Sequence, residues 1–110
     1  SSKKILRMEG KKMSFSCGGW KNKNGTGERT CICGSWSKHW LNFSNKEWPI
    51  ECSVEGCHNY PVLGAHVINA FAPGEYIVPM CDSCNKLSGT FNLKIGVIPI
   101  SANTKETCEK

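Results

Sequence analysis

The sequence lacks a long apolar run. Nothing in it approaches the roughly 20 consecutive apolar residues that a membrane-spanning helix needs, so no membrane partner is expected. Ser1 to Lys12 is basic and lacks the apolar core of about 7–15 residues that marks a secretory signal, which points to a cytoplasmic protein, with secretion as the alternative. Large aliphatic residues are few and scattered, whereas Gly, Ser, Asn and Lys are plentiful. A chain of this size buries only about 60–70% of the surface its unfolded form exposes. With so little apolar material, disulfides or metal must help to fix the fold. Internal repeats and low-complexity segments are also missing, which excludes solenoid and array architectures.

Acidic residues are scarce at one end. Residues 1–30 hold eight of the fourteen basic residues against only Glu9 and Glu28, a net of +6. Residues 31–110 hold six basic residues and seven acids, a net of −1. The sequence therefore divides into a basic, partly disordered arm over 1–16 and one domain over 17–110. Such an arm is either a solvated tail or a nucleic-acid contact that gains affinity by releasing counterions.

What the sequence does have is eight cysteines. Cys31-x-Cys33 and Cys81-x2-Cys84 are too closely spaced for ordinary structural disulfides and suit a chelate. The triplets Asn24-Gly25-Thr26 and Asn42-Phe43-Ser44 match a glycosylation pattern, but such triplets arise by chance in Asn- and Ser-rich sequence. The strongest constellation is Cys52-x4-Cys57, then a gap of 23 residues, then Cys81-x2-Cys84. Zinc takes four ligands in a tetrahedron, with sulfur at about 2.3 Å. Two short turns that each present a pair of thiolates, joined by a gap long enough to bring them together, meet that need. Pro79 before Cys81 and Asn85-Lys86 after Cys84 suit a turn entering a helix, whose first amides stabilise thiolate charge. Two buried disulfides or inert thiols are the alternative.

Cys31, Cys33, His39 and Cys108 form a second candidate tetrad, so the expected cofactor is zinc, as one or two ions. A metal at Cys108 would hold a segment that would otherwise fray. The competing readings are a disulfide to Cys17, free thiols, or a His39 packed between Trp36 and Trp40. Cys17 is the odd cysteine out.

The local patterns suggest an α+β domain. Ser35 to Phe43 places Trp36, Trp40 and Phe43 at i, i+4 and i+7, which predicts a short helix with an aromatic face. Gly64 to Ile68 and Tyr76 to Val78 read as two strands joined by a turn at Ala72-Pro73-Gly74. Ile95 to Ile100 reads as a last strand, and Pro99 suggests an edge. Residues 17–30 read as loop or hairpin turn. Trp20, Trp36, Trp40 and Trp48 serve either as core bulk or as platforms for bases. A lone histidine such as His66 on an apolar strand is usually structural.

The stretch Cys52-x4-Cys57, Ala65-His66-Val67, Tyr76-Ile77-Val78-Pro79-Met80-Cys81, Cys84-Asn85-Lys86 resembles the zinc-containing HNH endonuclease (ββα-metal) superfamily. The resemblance spans about a third of the chain, with its HNH-like core at about 50–90. It implies a ββα or treble-clef centre stapled by a structural zinc on the four cysteines. It also implies that His66 is a general base and that Asn85 helps to hold a catalytic Mg²⁺ or Mn²⁺, should the protein be a nuclease. The flanks, with Cys31-x-Cys33-Gly-Ser-Trp and His39-Trp40, resemble a set of small zinc-site proteins that share this centre.

The pattern is degenerate. The family places Asp or Glu before the first histidine, where this chain has Ala65, and its orienting Asn falls at Tyr76. A general base needs a group to aim it, and a hydrolytic metal needs oxygen ligands. Glu75 is one substitute. Residues 50–86 carry four acids and only Lys86 as a base, which suits a phosphate backbone poorly. The expected function is a zinc-binding, HNH-like module that binds nucleic acid through its basic arm, or a protein partner, without robust catalysis. A metal-dependent HNH-type DNA endonuclease and a secreted disulfide-stapled protein are the alternatives.

Overall fold

The computed structural model describes residues 18–26 and 29–108. The basic arm over 1–16 and Cys17 lie outside the described residues. Four strands form one antiparallel sheet in the order β1 (Trp20–Asn22), β2 (Leu63–Asn69), β3 (Ala72–Met80) and β4 (Ile100–Ser101). Helix α1 (Trp36–Ser44) lies between β1 and β2 in the chain. A single helical turn, α2 (Asp82–Asn85), follows β3, and a 3-10 turn spans Thr104–Glu106.

The β2–β3 hairpin is the backbone of the sheet, with Leu63 opposite Met80 and His66 opposite Ile77. Successive side chains on a strand point to opposite faces. One face carries Ala65 and Val67 of β2, Val78 and Met80 of β3 and Trp20 of β1. These pack with Cys52, Val54, Cys81, Cys84 and Leu93 into a single buried cluster. The other face carries His66 and Ile77 and is covered by α1. Burial on both faces explains why residues 65–67 are all inaccessible rather than alternating.

Helix α1 starts where the sequence provides a cap. The Ser35 hydroxyl accepts the amide of Lys38 at 3.1 Å, one of the first-turn donors that a helix cannot satisfy internally. Asn45, in the left-handed region at φ 59°, ends it. The helix docks at Gly64, where a Cβ would lie only 2.7 Å from the backbone carbon of Trp36. Glycine is required there by this close approach.

The tryptophans go into the fold. Trp20 is fully buried and meets Tyr76 edge-on at 5.8 Å. Trp40 is buried against Trp48 at 5.7 Å, and its indole donates to the Ile98 carbonyl at 2.8 Å. The indoles of Trp36 and Trp48 donate to the carbonyls of Arg29 and Pro61.

Three expectations change. The hairpin turns at Ala70-Phe71, and Ala72-Pro73-Gly74 already belongs to β3. The last strand is only Ile100–Ser101, because Ile95-Gly96 makes a turn with Gly96 at φ 94°. Residues 17–30 include β1, whose three residues are too few to show a period.

Candidate metal centres

The Sγ atoms of Cys52, Cys57, Cys81 and Cys84 all lie within 4.8 Å of one another. Each half of this group is built by local backbone. The loop over 52–59 closes on itself, with the Cys52 amide donating to Asn59 O at 2.8 Å and the Cys57 amide to Val54 O at 3.0 Å. Cys81 caps α2, and its sulfur accepts the amide of Cys84 at 3.4 Å. The Cys81 amide in turn donates to Cys52 Sγ at 3.4 Å. The Asn59 side chain reaches Cys81 Sγ at 3.8 Å. Asn22 of β1 holds the end of the α2 segment, donating to the carbonyls of Cys84 and Leu87.

The distances suit a shared ion. Four legs of about 2.3 Å at tetrahedral angles put two sulfurs about 3.8 Å apart. Cys57 and Cys81 stand 3.7 Å apart, far beyond the roughly 2.05 Å of a disulfide. The thiols also depend on a cation to ionise together. Burial raises Cys52, and burial with the neighbouring Cys81 and Cys57 thiols raises Cys84. Burial works against Cys81 as well, but the amide of Cys84 and hydrogen bonds from Cys84, Cys57 and Asn59 bring it to about 7. Cys81 is therefore the readiest thiolate of the group, whereas burial holds Cys52 and Cys84 as thiols in the absence of positive charge.

The second group joins residues 31–39 to the distant Cys108. Cys31, Cys33, His39 and Cys108 present ligand atoms that also lie within 4.8 Å of one another. A turn closed by the Gly34 amide on Cys31 O, with Gly34 at φ 105°, presents the first two thiols. Burial raises Cys31, with the neighbouring thiols Cys33 and Cys108 adding to the effect. His39, wholly buried on α1, sits between Trp36 and Phe43, with ring centroids 5.0 Å from each. Its Nδ1 lies 3.8 Å from Cys33 Sγ, close to the roughly 3.6 Å that a shared tetrahedral zinc implies for sulfur and nitrogen. Its Nε2 donates to the Ser101 carbonyl at 2.8 Å. Sequence spacing pointed to these residues, but the Ser101 carbonyl, supplied by β4, carries no signature in the sequence.

Because Cys52, Cys81 and Cys84 belong to one face's core and His39 to the helix on the other, the two groups sit on opposite faces of the sheet. Both are positioned to hold metal ions.

His66 faces α1, away from the Cys52–Cys84 group. Its ring meets Trp36 edge-on at 4.5 Å, it is only 5% exposed, and its Nε2 is buried without a hydrogen-bond partner. Burial lowers it to about 4; Glu75 pulls it up, and Arg29 and His39 push it further down. Asn85 ends α2 on the segment that carries Cys84. Among the described residues, no hydrogen bond or ring contact joins it to His66. Glu75 is engaged by Arg29 in an ion pair, and the Tyr76 hydroxyl donates to Pro73 O at 2.8 Å.

Compared with known protein families, with characterised proteins and with solved structures, the chain shows no match.

Proposed function

We propose that this protein is a two-zinc module that binds nucleic acid through its basic arm and does not itself catalyse. The observation that carries the zinc assignment is the pair of ligand tetrads, each with its donor atoms within 4.8 Å of one another, one on each face of the sheet. Sulfur-rich tetrahedral sets favour zinc, and a set closed by four protein ligands leaves no open position for substrate. In this reading the ions replace the apolar mass that the chain lacks.

The nuclease reading has one observation in its favour. Strand β2, strand β3 and helix α2 follow in the ββα order that the HNH resemblance implies, with His66 on the first strand and Asn85 on the helix. Against it, His66 is closed under Trp36, and Ala65 is buried in the opposite face. Glu75, the carboxylate whose charge acts on His66, is occupied by Arg29. A base that activates water at a phosphodiester needs access to that water.

Nucleic-acid binding rests on charge. Three of the domain's eight acids, Glu51, Glu75 and Asp82, pair with Lys94, Arg29 and Lys86. By sequence, the arm carries five basic residues against Glu9 alone. The test has two parts. Elemental analysis of the purified protein should give two zinc ions per chain. Deleting residues 1–12 should weaken binding to a labelled oligonucleotide and flatten its salt dependence, since fewer counterions are released. Binding that is unchanged by the deletion moves the contact elsewhere. Robust plasmid nicking with Mg²⁺ or Mn²⁺ that is lost in His66→Ala replaces this reading with the nuclease.

A further inference from the structure

Resting on the nucleic-acid reading above, we infer that the tip of the β2–β3 hairpin is the base-contacting part of the interface, with Phe71 stacking on an unpaired base of a single strand. Phe71 is 80% exposed, although the other large aromatics of the sheet are buried or half-buried. Its position is built. The Asn69 carboxamide oxygen accepts the Phe71 amide at 2.7 Å, and the same side chain donates to the Gly18 carbonyl at 3.0 Å. The Ala70 amide donates to Gly19 O at 3.3 Å. Gly19 sits at φ 82°, and a Cβ there would lie 3.0 Å from the Phe71 ring. Residues 18 and 19 thus form a seat for the tip, and position 19 favours glycine on both backbone and space.

That seat is where the basic arm joins the domain. The segment from Lys3 to Lys23 carries Lys3, Lys4, Arg7, Lys11, Lys12, Lys21 and Lys23 against Glu9 alone. Lys21 is exposed, and neither Lys21 nor Lys23 has an ion-pair partner among the described residues. An exposed ring next to the strand that carries Lys21 and Lys23 is an arrangement that suits single strands: cations follow the phosphates, and a ring stacks on a base of any identity. A ring on a convex tip cannot reach bases that are paired inside a duplex, whereas splayed bases are open to it. A membrane is the poorer fit, because one phenylalanine flanked by Ala70 and Ala72 offers little apolar area to bury.

The experiment is fluorescence polarisation with a labelled 20-nucleotide strand of mixed sequence, the corresponding duplex, and vesicles of phosphatidylcholine with phosphatidylserine. Wild type should prefer the strand. Phe71→Ala should weaken strand binding about tenfold, with the salt slope unchanged because no phosphate contact is lost. Phe71→Trp should retain binding. Circular dichroism and zinc content, equal in all three proteins, establish that the fold is intact. Strand binding that survives Phe71→Ala but is lost when Lys3, Lys4, Arg7, Lys11 and Lys12 become Gln overturns the role of the tip and leaves the arm standing. Absence of binding to either nucleic acid by wild type overturns the nucleic-acid reading itself. Phe71-dependent binding to the vesicles in preference to the strand overturns the proposal in favour of a lipid surface.

Discussion

His39 donates its Nε2 hydrogen to the carbonyl oxygen of Ser101 across 2.8 Å. A carbonyl can only accept, so this bond places the proton on Nε2 and leaves the Nδ1 lone pair facing Cys33. Orienting bonds of this kind fix the tautomer of metal-binding histidines and raise their basicity. The bond also links α1 to the edge strand β4, so the centre and the fold of this corner depend on each other.

Removing His39 as a ligand should leave one ion. Native mass spectrometry of His39→Ala is expected to count a single zinc per chain, and His39→Cys, which restores a fourth donor, should recover the second. Two ions retained in His39→Ala would show that His39 is a packing residue only.

The two ions should leave at different rates. Cys31, Cys33 and Cys108 are half-buried, whereas Cys52 and Cys81 are buried in the core. Under a chromogenic chelator, zinc should be released in two phases, and Cys108→Ser should abolish the fast one. Loss of the slow ion should coincide with collapse of the circular dichroism signal, since a structural zinc contributes on the order of 10 kcal/mol to folding. Unchanged dichroism in fully metal-free protein would remove the central claim.

Gly64→Ala should destabilise the protein. The added methyl would meet the backbone of Trp36 and Ser37 at 2.7 to 2.9 Å, and a backbone cannot swing aside as a side chain does. Overpacking of this kind costs about 1–3 kcal/mol. For a domain of this size that lowers the melting temperature by roughly 4–8 °C per kcal/mol. Gly89→Ala, where a Cβ meets nothing within 4 Å, is the control and should melt with wild type. Equal melting of both variants would show that α1 is not seated on Gly64.

His66 should make the fold sensitive to acid. Burial lowers it from its ordinary 6.5 to about 4. Between those values the unfolded chain takes up a proton that the folded chain refuses. The stability of the neutral ring is therefore complete above about pH 6.5 and is lost as pH falls toward 4. Allowing for screening by nearby water, the contribution is on the order of 1–2 kcal/mol. Urea unfolding in excess zinc near pH 7 and near pH 5 should show a smaller loss for His66→Phe than for wild type. Identical losses would assign the acid sensitivity to the zinc ligands alone.

The sequence by itself determined which residues are able to hold a metal ion. A metal site is legible in the chain because short turns such as Cys31-x-Cys33 and Cys81-x2-Cys84 present paired thiols locally, whatever fold surrounds them. Helix α1 was legible for the same reason: the spacing of Trp36, Trp40 and Phe43 is a local signal. Only the tertiary structure decided where these pieces meet. That Cys108 reaches Cys31, that the two tetrads take opposite faces of the sheet, and that Ser101 orients His39 all depend on contacts between residues far apart in the chain. The status of His66 was decided the same way. Ala65-His66-Val67 is one string of letters, but strand alternation sends His66 to the face that α1 covers, and the docking of Trp36 over Gly64 closes it from water. The short strands β1 and β4 leave no periodic trace because two or three residues cannot show one. They are strands because β2 and β3 offer them hydrogen bonds.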